Sequence, residues 1–171
     1  MRHYLITCIT LLSILSANAQ EKKALSGWTW EVGPSFALPI RAFHSVTTFG
    51  IGADIKASRP VSSVDNLTVG GRASYNIFFR KKLTGFTGKE SAINNVGIFA
   101  SFQYIVVDKL ILEADIGLGI TSGWFNTLGL ARGGFIGYKL PDSKRNVKVG
   151  VFMNRITFAT LHAGIKGSIE L

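Results

Sequence analysis

The chain has 171 residues, a formal net charge of +9 and a single cysteine. That length suffices for one domain, and one cysteine cannot form the disulfide framework of a small secreted scaffold. The basic residues are scattered, and their densest run is Arg80-Lys81-Lys82. Scattered cations of this kind favour solvated loops at the ends of a fold over a nucleic-acid interface.

The N-terminus has the three parts of a secretory signal peptide. Arg2 supplies the positive charge, Leu5–Leu15 is a short apolar core, and Ser16–Ala19 provides an Ala-x-Ala end. An apolar core of about 11 residues falls short of the ~20 that a membrane-spanning helix needs. We therefore predict that residues 1–19 are removed, together with Cys8. Export also argues against a nucleic-acid partner.

After a polar lead over residues 20–27, the chain shows about eight alternating runs and no convincing helical stripe. Apolar and polar residues alternate with period two, which is the pattern of a strand whose two faces meet different surroundings. Turn-forming residues separate the runs. In chain order the runs are Trp28–Ile40, Phe49–Ser58, Leu67–Phe79, Asn95–Val106, Leu110–Thr121, Thr127–Leu140, Val147–Asn154 and Leu161–Leu171.

The connections between these runs differ in length. Arg41–Thr48 reads as a loop, and Arg80–Ala92 reads as the longest loop. Arg59-Pro60 ends the second run, because proline cannot donate to a strand ladder. Asp108-Lys109 predicts a tight turn, and Arg155–Thr160 leads into the last strand.

The sixth run leaves its phase open. Arg132 falls on the same face as Leu130 and Ile136, which are apolar. A bulge near Gly133-Gly134 would move the arginine to the other face. The alternation alone does not decide between a bulge and an outward arginine.

The last run continues to Leu171. A strand in that position leaves an open edge or closes a barrel against the first strand. About eight strands, an even number, favour closure. We therefore predict an all-β fold, a closed antiparallel up-and-down barrel of about eight strands, as a single domain over residues 28–171.

The two faces of the strands indicate which side is outside. One face is mostly Leu, Ile, Val, Phe, Tyr and Trp, and the other carries small and charged residues. An eight-stranded barrel has room only for side chains, so charges inside it must pair. The predicted lumen network comprises Glu31, Asp54, Lys56, Arg72, Glu113, Asp115, Lys148, Lys166 and Glu170. The inverted arrangement, a soluble lipocalin-type barrel with a small apolar ligand, remains the alternative.

The aromatic residues favour a transmembrane barrel. Two aromatic girdles are expected at the two lipid–water boundaries. In hydrocarbon every backbone polar group must pair internally, so strands can span only as a closed sheet. Trp28, Trp30, Tyr104 and Tyr138 would lie near the periplasmic rim, and Phe43, Phe49, Phe79 and Trp124 near the other.

These patterns resemble one known family. Trp28–Ile40 with its two prolines, Phe49–Ala57, Asp65–Phe79 and the alternating last strand are similar to the small bacterial outer-membrane β-barrels, the OmpA-like transmembrane barrels. The resemblance implies location in a Gram-negative outer membrane and contact with its lipid and lipopolysaccharide. It also implies recognition of Leu161–Leu171 by the barrel-assembly machinery. The family's last strand usually ends in an aromatic residue, whereas this one ends in Leu171.

The sequence contains few residues that could form a catalytic or metal site. His44 lies beside Ser45, and His162 lies on the polar face of the last strand. Some outer-membrane barrels are lipid-modifying hydrolases with a neighbouring His and Ser, but the residue two after His162 is Gly164. The sequence has no G-x-S-x-G and no metal-ligand cluster. We therefore expect no catalytic, metal or cofactor site.

The expected role is that of a structural or surface-interaction protein. Its plugged interior would make it an adhesion or accessory protein rather than an open pore, with Arg80–Ala92 as the external surface for an unknown partner. Two alternatives stay open at this point. One is a periplasmic lipocalin-like binder of a small apolar ligand, and the other is a lipid-modifying outer-membrane enzyme.

Overall fold

The computed structural model describes residues 27–81, 92–107, 109–123, 126–140, 146–158 and 160–171. Its eight antiparallel strands follow one another around a closed barrel. The predicted signal peptide lies outside the described residues. The elements are β1 (Thr29–Pro39), α1 (Ala42–Val46), β2 (Thr47–Pro60), β3 (Leu67–Arg80), β4 (Ala92–Val107), β5 (Leu110–Ser122), β6 (Thr127–Lys139), β7 (Val147–Arg155) and β8 (Leu161–Glu170).

The predicted closure of the last strand against the first is confirmed. In the β1–β8 ladder Val32 pairs with Ile169 and Phe36 with Ile165. The amide of Leu171 also donates to the carbonyl of Trp30 at 2.9 Å. The sheet therefore has no free edge, and its backbone groups are paired with one another around the whole circumference.

The antiparallel order defines two rims. The terminal rim holds the start of β1, the end of β8 and the β2–β3, β4–β5 and β6–β7 connections. The distal rim holds α1 and the β3–β4, β5–β6 and β7–β8 connections. Among the described residues no helix is long and apolar enough to cross a membrane.

The β1–β2 connection is not the plain loop expected over Arg41–Thr48. Ala42–Val46 forms the short helix α1, and Thr47 already belongs to β2. The hydroxyl of Thr47 donates to the carbonyl of Phe43 at 2.7 Å, which satisfies one carbonyl of the last helical turn. Five residues are too few to produce a visible helical stripe in a sequence.

The sixth strand keeps one phase throughout. The β5–β6 register runs without a shift from Leu110 opposite Tyr138 to Thr121 opposite Thr127. The structure therefore has no bulge at Gly133-Gly134 in this ladder, which settles the phase that the sequence left open. Arg132 lies exposed on the outer surface of the barrel.

The β7–β8 connection folds back into the barrel. Ile156 and Thr157 are fully buried, and Ile156 forms an apolar cluster with Phe99 and Ala131. The inward position opposite this connection is Gly119, where a Cβ atom would overlap the side chain and carbonyl of Ile156. The glycine thus makes room for a loop that closes the distal end of the lumen.

We predict that Gly119→Ala weakens the seating of this loop. The added methyl group must displace Ile156, and such overpacking costs about 1–3 kcal/mol of unfolding free energy. Gly129→Ala is the matched control, because a Cβ there meets Thr157 at 3.6 Å or more. Urea titration of the barrel in lipid vesicles measures both, and equal midpoints for the two variants would contradict the prediction.

Candidate functional site: the ion-paired lumen and the apolar outer surface

Most charged residues predicted for the lumen lie inside the barrel. They occupy alternate positions on their strands, and such positions point to one face of a sheet. Four cations face four carboxylates, so the charge of this group sums to zero. The cations are Lys56, Arg72, Lys148 and Lys166, all buried, and the carboxylates are Glu31, Glu113 and Asp115, also buried, and the half-buried Asp54.

Glu113 occupies the centre of the network. The Nζ of Lys56 lies 2.5 Å from its Oε2, and the Nζ of Lys166 lies 3.1 Å from its Oε1. Each oxygen therefore faces a cation from a different strand. These contacts tie β5 to β2 and β8 through the lumen, across the barrel rather than along the ladder.

Gln103 joins this centre to a second ion pair. Its Oε1 accepts hydrogen bonds from Lys56 at 2.9 Å and from Lys148 at 3.2 Å. Lys148 Nζ lies 2.5 Å from Glu31 Oε1, and Ser168 donates to the other oxygen of Glu31 at 3.2 Å. Charge patterning did not single out Gln103, because a neutral amide on the polar face carries no ionic signal.

Arg72 forms the other half of the network. Its guanidinium lies 3.2 Å from Asp54 Oδ1 and 3.0 Å from Asp115 Oδ2. It also donates to Asn154 Oδ1 at 3.2 Å, and its Cζ lies 4.5 Å from the centre of the Phe99 ring. A buried arginine is stabilised by several acceptors around its planar donors; Nη1 and Nη2 have such acceptors here, whereas Nε has none among the described residues.

Glu170 does not join the network as predicted. Its carboxylate accepts a hydrogen bond from Asn146 Nδ2 at 2.6 Å. It forms no ion pair with a cation of the described residues. As the last residue of β8 it lies at the terminal rim, where the alternating pattern gives the correct face but not the depth.

The lumen also holds an apolar cluster that the predicted polar plug did not include. Phe43, expected in the distal girdle, is buried instead, with its ring centre 4.8 Å from that of Phe78. His162 is fully buried, and its ring meets Phe78 and Phe152 edge-on at 5.0 and 5.9 Å. Lys166 Nζ lies 4.5 Å from the Phe135 ring centre, so the ionic and apolar parts touch.

The packed lumen leaves little space. The cavity beside the ion pairs, bordered by residues such as Glu31, Lys56 and Ser168, measures about 20 Å³. A cavity of this size holds about one water molecule. In the part of the chain that the structure describes, the interior is therefore a plug rather than a wide channel.

The outer surface is apolar along the barrel wall. Large aliphatic side chains stand outward in mid-strand, among them Ile98 and Leu128, each 68% exposed, and Leu118, 61% exposed. Soluble monomers rarely expose apolar patches of more than a few hundred Å². A barrel with its charges inside and its aliphatic side chains outside fits hydrocarbon surroundings rather than water.

The predicted girdle residues that the structure describes are exposed near the two rims. Rings that flank an apolar band suit the boundaries between lipid and water. Phe49 and Phe79 contact each other at 4.9 Å. Trp124 lies outside the described residues. Trp28, Trp30, Tyr104 and Tyr138 are near the terminal rim, and Phe49 and Phe79 near the distal rim.

The two histidines considered for catalysis lie in different surroundings. His162 is enclosed by aromatic rings, and Lys81 Nζ lies 3.5 Å from both ring nitrogens of His44. Neither histidine has a hydrogen bond from a serine or an ion pair with a carboxylate among the described residues. In that part of the chain no three His, Cys, Asp or Glu residues are grouped as metal ligands.

Comparison with solved structures identifies the same architecture in other proteins. No family model and no curated protein matches the chain. The fold is similar to that of Neisserial surface protein A (NspA), with a TM-score of 0.56 and 12% identity over 87% of this chain and 99% of that one. The fold is also similar to that of Ail, the attachment invasion locus protein of Yersinia pestis. The TM-score is 0.55 and the sequence identity 11%, over 85% of this chain and 99% of that one. A de novo designed transmembrane β-barrel has a TM-score of 0.52 and 13% identity, over 87% of this chain and 100% of that one.

These identities are low, so the comparisons establish a shared fold alone. Both natural neighbours and the design align over nearly their whole length. The predicted resemblance to small transmembrane barrels is thereby confirmed for the architecture.

We predict that Glu113→Gln strongly destabilises the barrel. The amide leaves Lys56 and Lys166 without their carboxylate, and breaking a buried ion pair costs about 3–5 kcal/mol. Glu170→Gln is the control, since its rim position and its hydrogen bond from Asn146 limit the loss to about 1 kcal/mol. Urea titration in vesicles measures both variants. Similar midpoints would show that the lumen network contributes little to stability.

We also predict that Ile98→Arg impairs assembly. An arginine facing lipid near mid-strand costs about 2–4 kcal/mol in a transmembrane barrel. Ile98→Leu at the same position keeps an apolar side chain and should assemble like the parent. The folded fraction in vesicles, read from gel mobility without boiling, measures the difference, and equal fractions would refute the outward assignment of this face.

Proposed function

We propose that this chain is an integral outer-membrane β-barrel protein with a plugged interior. It acts as a structural or surface-interaction protein, in adhesion or as an accessory component, rather than as an open pore or an enzyme. One observation supports this most strongly. The charged side chains are paired inside the barrel, while the wall between the two aromatic rims is aliphatic.

The proposed location follows from the outer wall and the N-terminus. Export by the signal peptide would deliver the chain to the periplasm, and the apolar wall would then contact outer-membrane lipid and lipopolysaccharide. The barrel-assembly machinery would engage Leu161–Leu171, the segment that closes the barrel by pairing with β1. A structure of Ail describes that protein as an outer membrane protein in a phospholipid bilayer nanodisc, which is consistent with this location.

A surface role is favoured over the two alternatives. A lipocalin-like binder needs an apolar cavity and a polar exterior, whereas this lumen is packed and this exterior is aliphatic. A lipid-modifying enzyme needs an accessible base, whereas His162 is fully buried. The names of two neighbours, a surface protein and an attachment invasion locus protein, agree with a role at the cell surface.

The first test of the proposal is cell fractionation. The full chain is expressed in a Gram-negative host, and outer membranes are compared on gels with and without boiling in detergent. We expect a band in the outer-membrane fraction whose mobility changes on boiling, because a closed barrel resists unheated detergent. A soluble periplasmic product without a shift would overturn the proposal.

A second arm of the same experiment tests orientation. An epitope tag within residues 82–91, between β3 and β4, should be reached by antibody on intact cells. The same tag within residues 141–145, between β6 and β7, should be reached only after the outer membrane is opened, since that connection joins strands at the terminal rim. Labelling of the second tag on intact cells would reverse the proposed orientation.

A further inference from the structure

The outward position of Arg132 needs an explanation in an apolar wall. Arg132 is exposed and shares the outer face of β6 with Leu130 and Ile136. A cation facing lipid is unfavourable unless it reaches a polar boundary or an anion. Arg132 lies on the distal half of β6, toward the rim that would face outward.

A second arginine lies directly beside the first. Arg155 is the register partner of Arg132 in the β6–β7 ladder. Like charges placed opposite each other destabilise a sheet. The Nε and Nη2 of Arg155 donate to the carbonyls of Thr157 at 3.3 Å and Phe158 at 2.8 Å. These neutral acceptors orient the guanidinium without neutralising its charge.

A third arginine completes the group. Arg41 follows β1, and the preceding residue, Ile40, donates its amide to the carbonyl of Leu161 at 2.8 Å. Arg41 therefore lies where β1 meets β8 at the distal rim. It is exposed and has a φ of 57°, an uncommon conformation for a residue with a side chain.

None of these three arginines has an acidic partner among the described residues. The ion pairs of that part of the chain all lie in the lumen, around Glu31, Glu113 and Arg72. The carboxylate of Glu113 points inward to Lys56 and Lys166, away from the arginines. Within the described residues, the cationic group on the outer wall therefore has no anionic partner and is available to an external anion.

A groove on the outer wall connects the three arginines to an apolar surface. It measures about 1160 Å³, and Arg41, Arg132 and Arg155 border it. Outward aliphatic side chains of β1 and β5–β8 line much of it, and the inward-facing Phe135 and Phe152 also border it. The aliphatic side chains include Leu38, Leu112, Ile136, Val151, Ala163 and Ile165.

We propose that this groove binds a phosphorylated lipid of the outer leaflet. Its phosphate groups would contact Arg41, Arg132 and Arg155, and its acyl chains would lie along the aliphatic wall. Guanidinium groups bind phosphate through paired, charge-assisted hydrogen bonds. Three arginines match a headgroup with more than one phosphate, as in the lipid A part of lipopolysaccharide. This inference rests on the proposed outer-membrane location and assigns that lipid a defined site.

The test compares two lipids on the intact protein. The full chain, folded in zwitterionic detergent, is titrated with diphosphoryl lipid A and with the same lipid after removal of its phosphates, and native mass spectrometry counts bound lipid. We expect removal of the phosphates to weaken binding by about tenfold or more, because charge-assisted hydrogen bonds are lost. Equal binding of both lipids would overturn the proposal, since the groove would then select only acyl chains.

Variants locate the site. The double variant Arg132→Gln and Arg155→Gln should lose about tenfold in affinity for diphosphoryl lipid A. Arg59→Gln is the matched control: Arg59 is also outward and exposed, but it lies at the terminal rim over the Trp28 ring. Unchanged affinity in the double variant, or an equal loss in Arg59→Gln, would overturn the assignment.

Two readouts keep the outcomes distinct. Gel mobility without boiling shows whether each variant is folded. If the double variant does not fold, the comparison of the two lipids on the parent chain decides whether the groove recognises phosphate. A parent chain that folds into the outer membrane but ignores the lipid phosphates would overturn this inference alone. A chain that never reaches the outer membrane would overturn the proposed function as well.

Discussion

The ion pairs around Glu113 and Arg72 are the interactions on which the rest of this barrel depends. Charged side chains on alternate positions of six strands point into a lumen that is wide enough only for side chains. Unpaired, each charge would have to be solvated, and the cavity beside the ion pairs has space for about one water. Because four cations meet four carboxylates there, the strands can close around them.

Cations of the network also lie over aromatic rings in the lumen. Arg72 lies over the Phe99 ring, which packs with Ile156 of the β7–β8 connection. Lys166 lies over the Phe135 ring, which belongs to the cluster containing Phe43 of α1. The ionic network is therefore flanked by apolar clusters on two sides, and two distal connections contribute to them. Such an interior is packed with ion pairs and aromatic rings across the described part of the barrel.

The outer wall has the opposite polarity to the lumen. With the charges satisfied inside, the outward positions are free to be aliphatic, and the wall can contact lipid over its height. Between the two rims Arg132 and Arg155 are the exception: they lie side by side in the distal half of the barrel, where the proposed anionic headgroup would contact them. The ion-paired interior and the apolar wall are thus two consequences of one separation of polar from apolar positions.

The sequence by itself determined the strands, the closure of β8 on β1 and, outside the sixth strand, the face that most strand residues occupy. Period-two alternation is a local property, so it survives without knowledge of the neighbours. Only the tertiary structure decided how deep each side chain lies in the barrel and which residues it contacts. Register between strands and the way connections fold back decide four features. These are the rim position of Glu170, the inward position of Phe43, the bridging hydrogen bonds of Gln103 and the unbroken phase around Arg132. Those features are set by contacts between residues far apart in the chain, which no local pattern encodes.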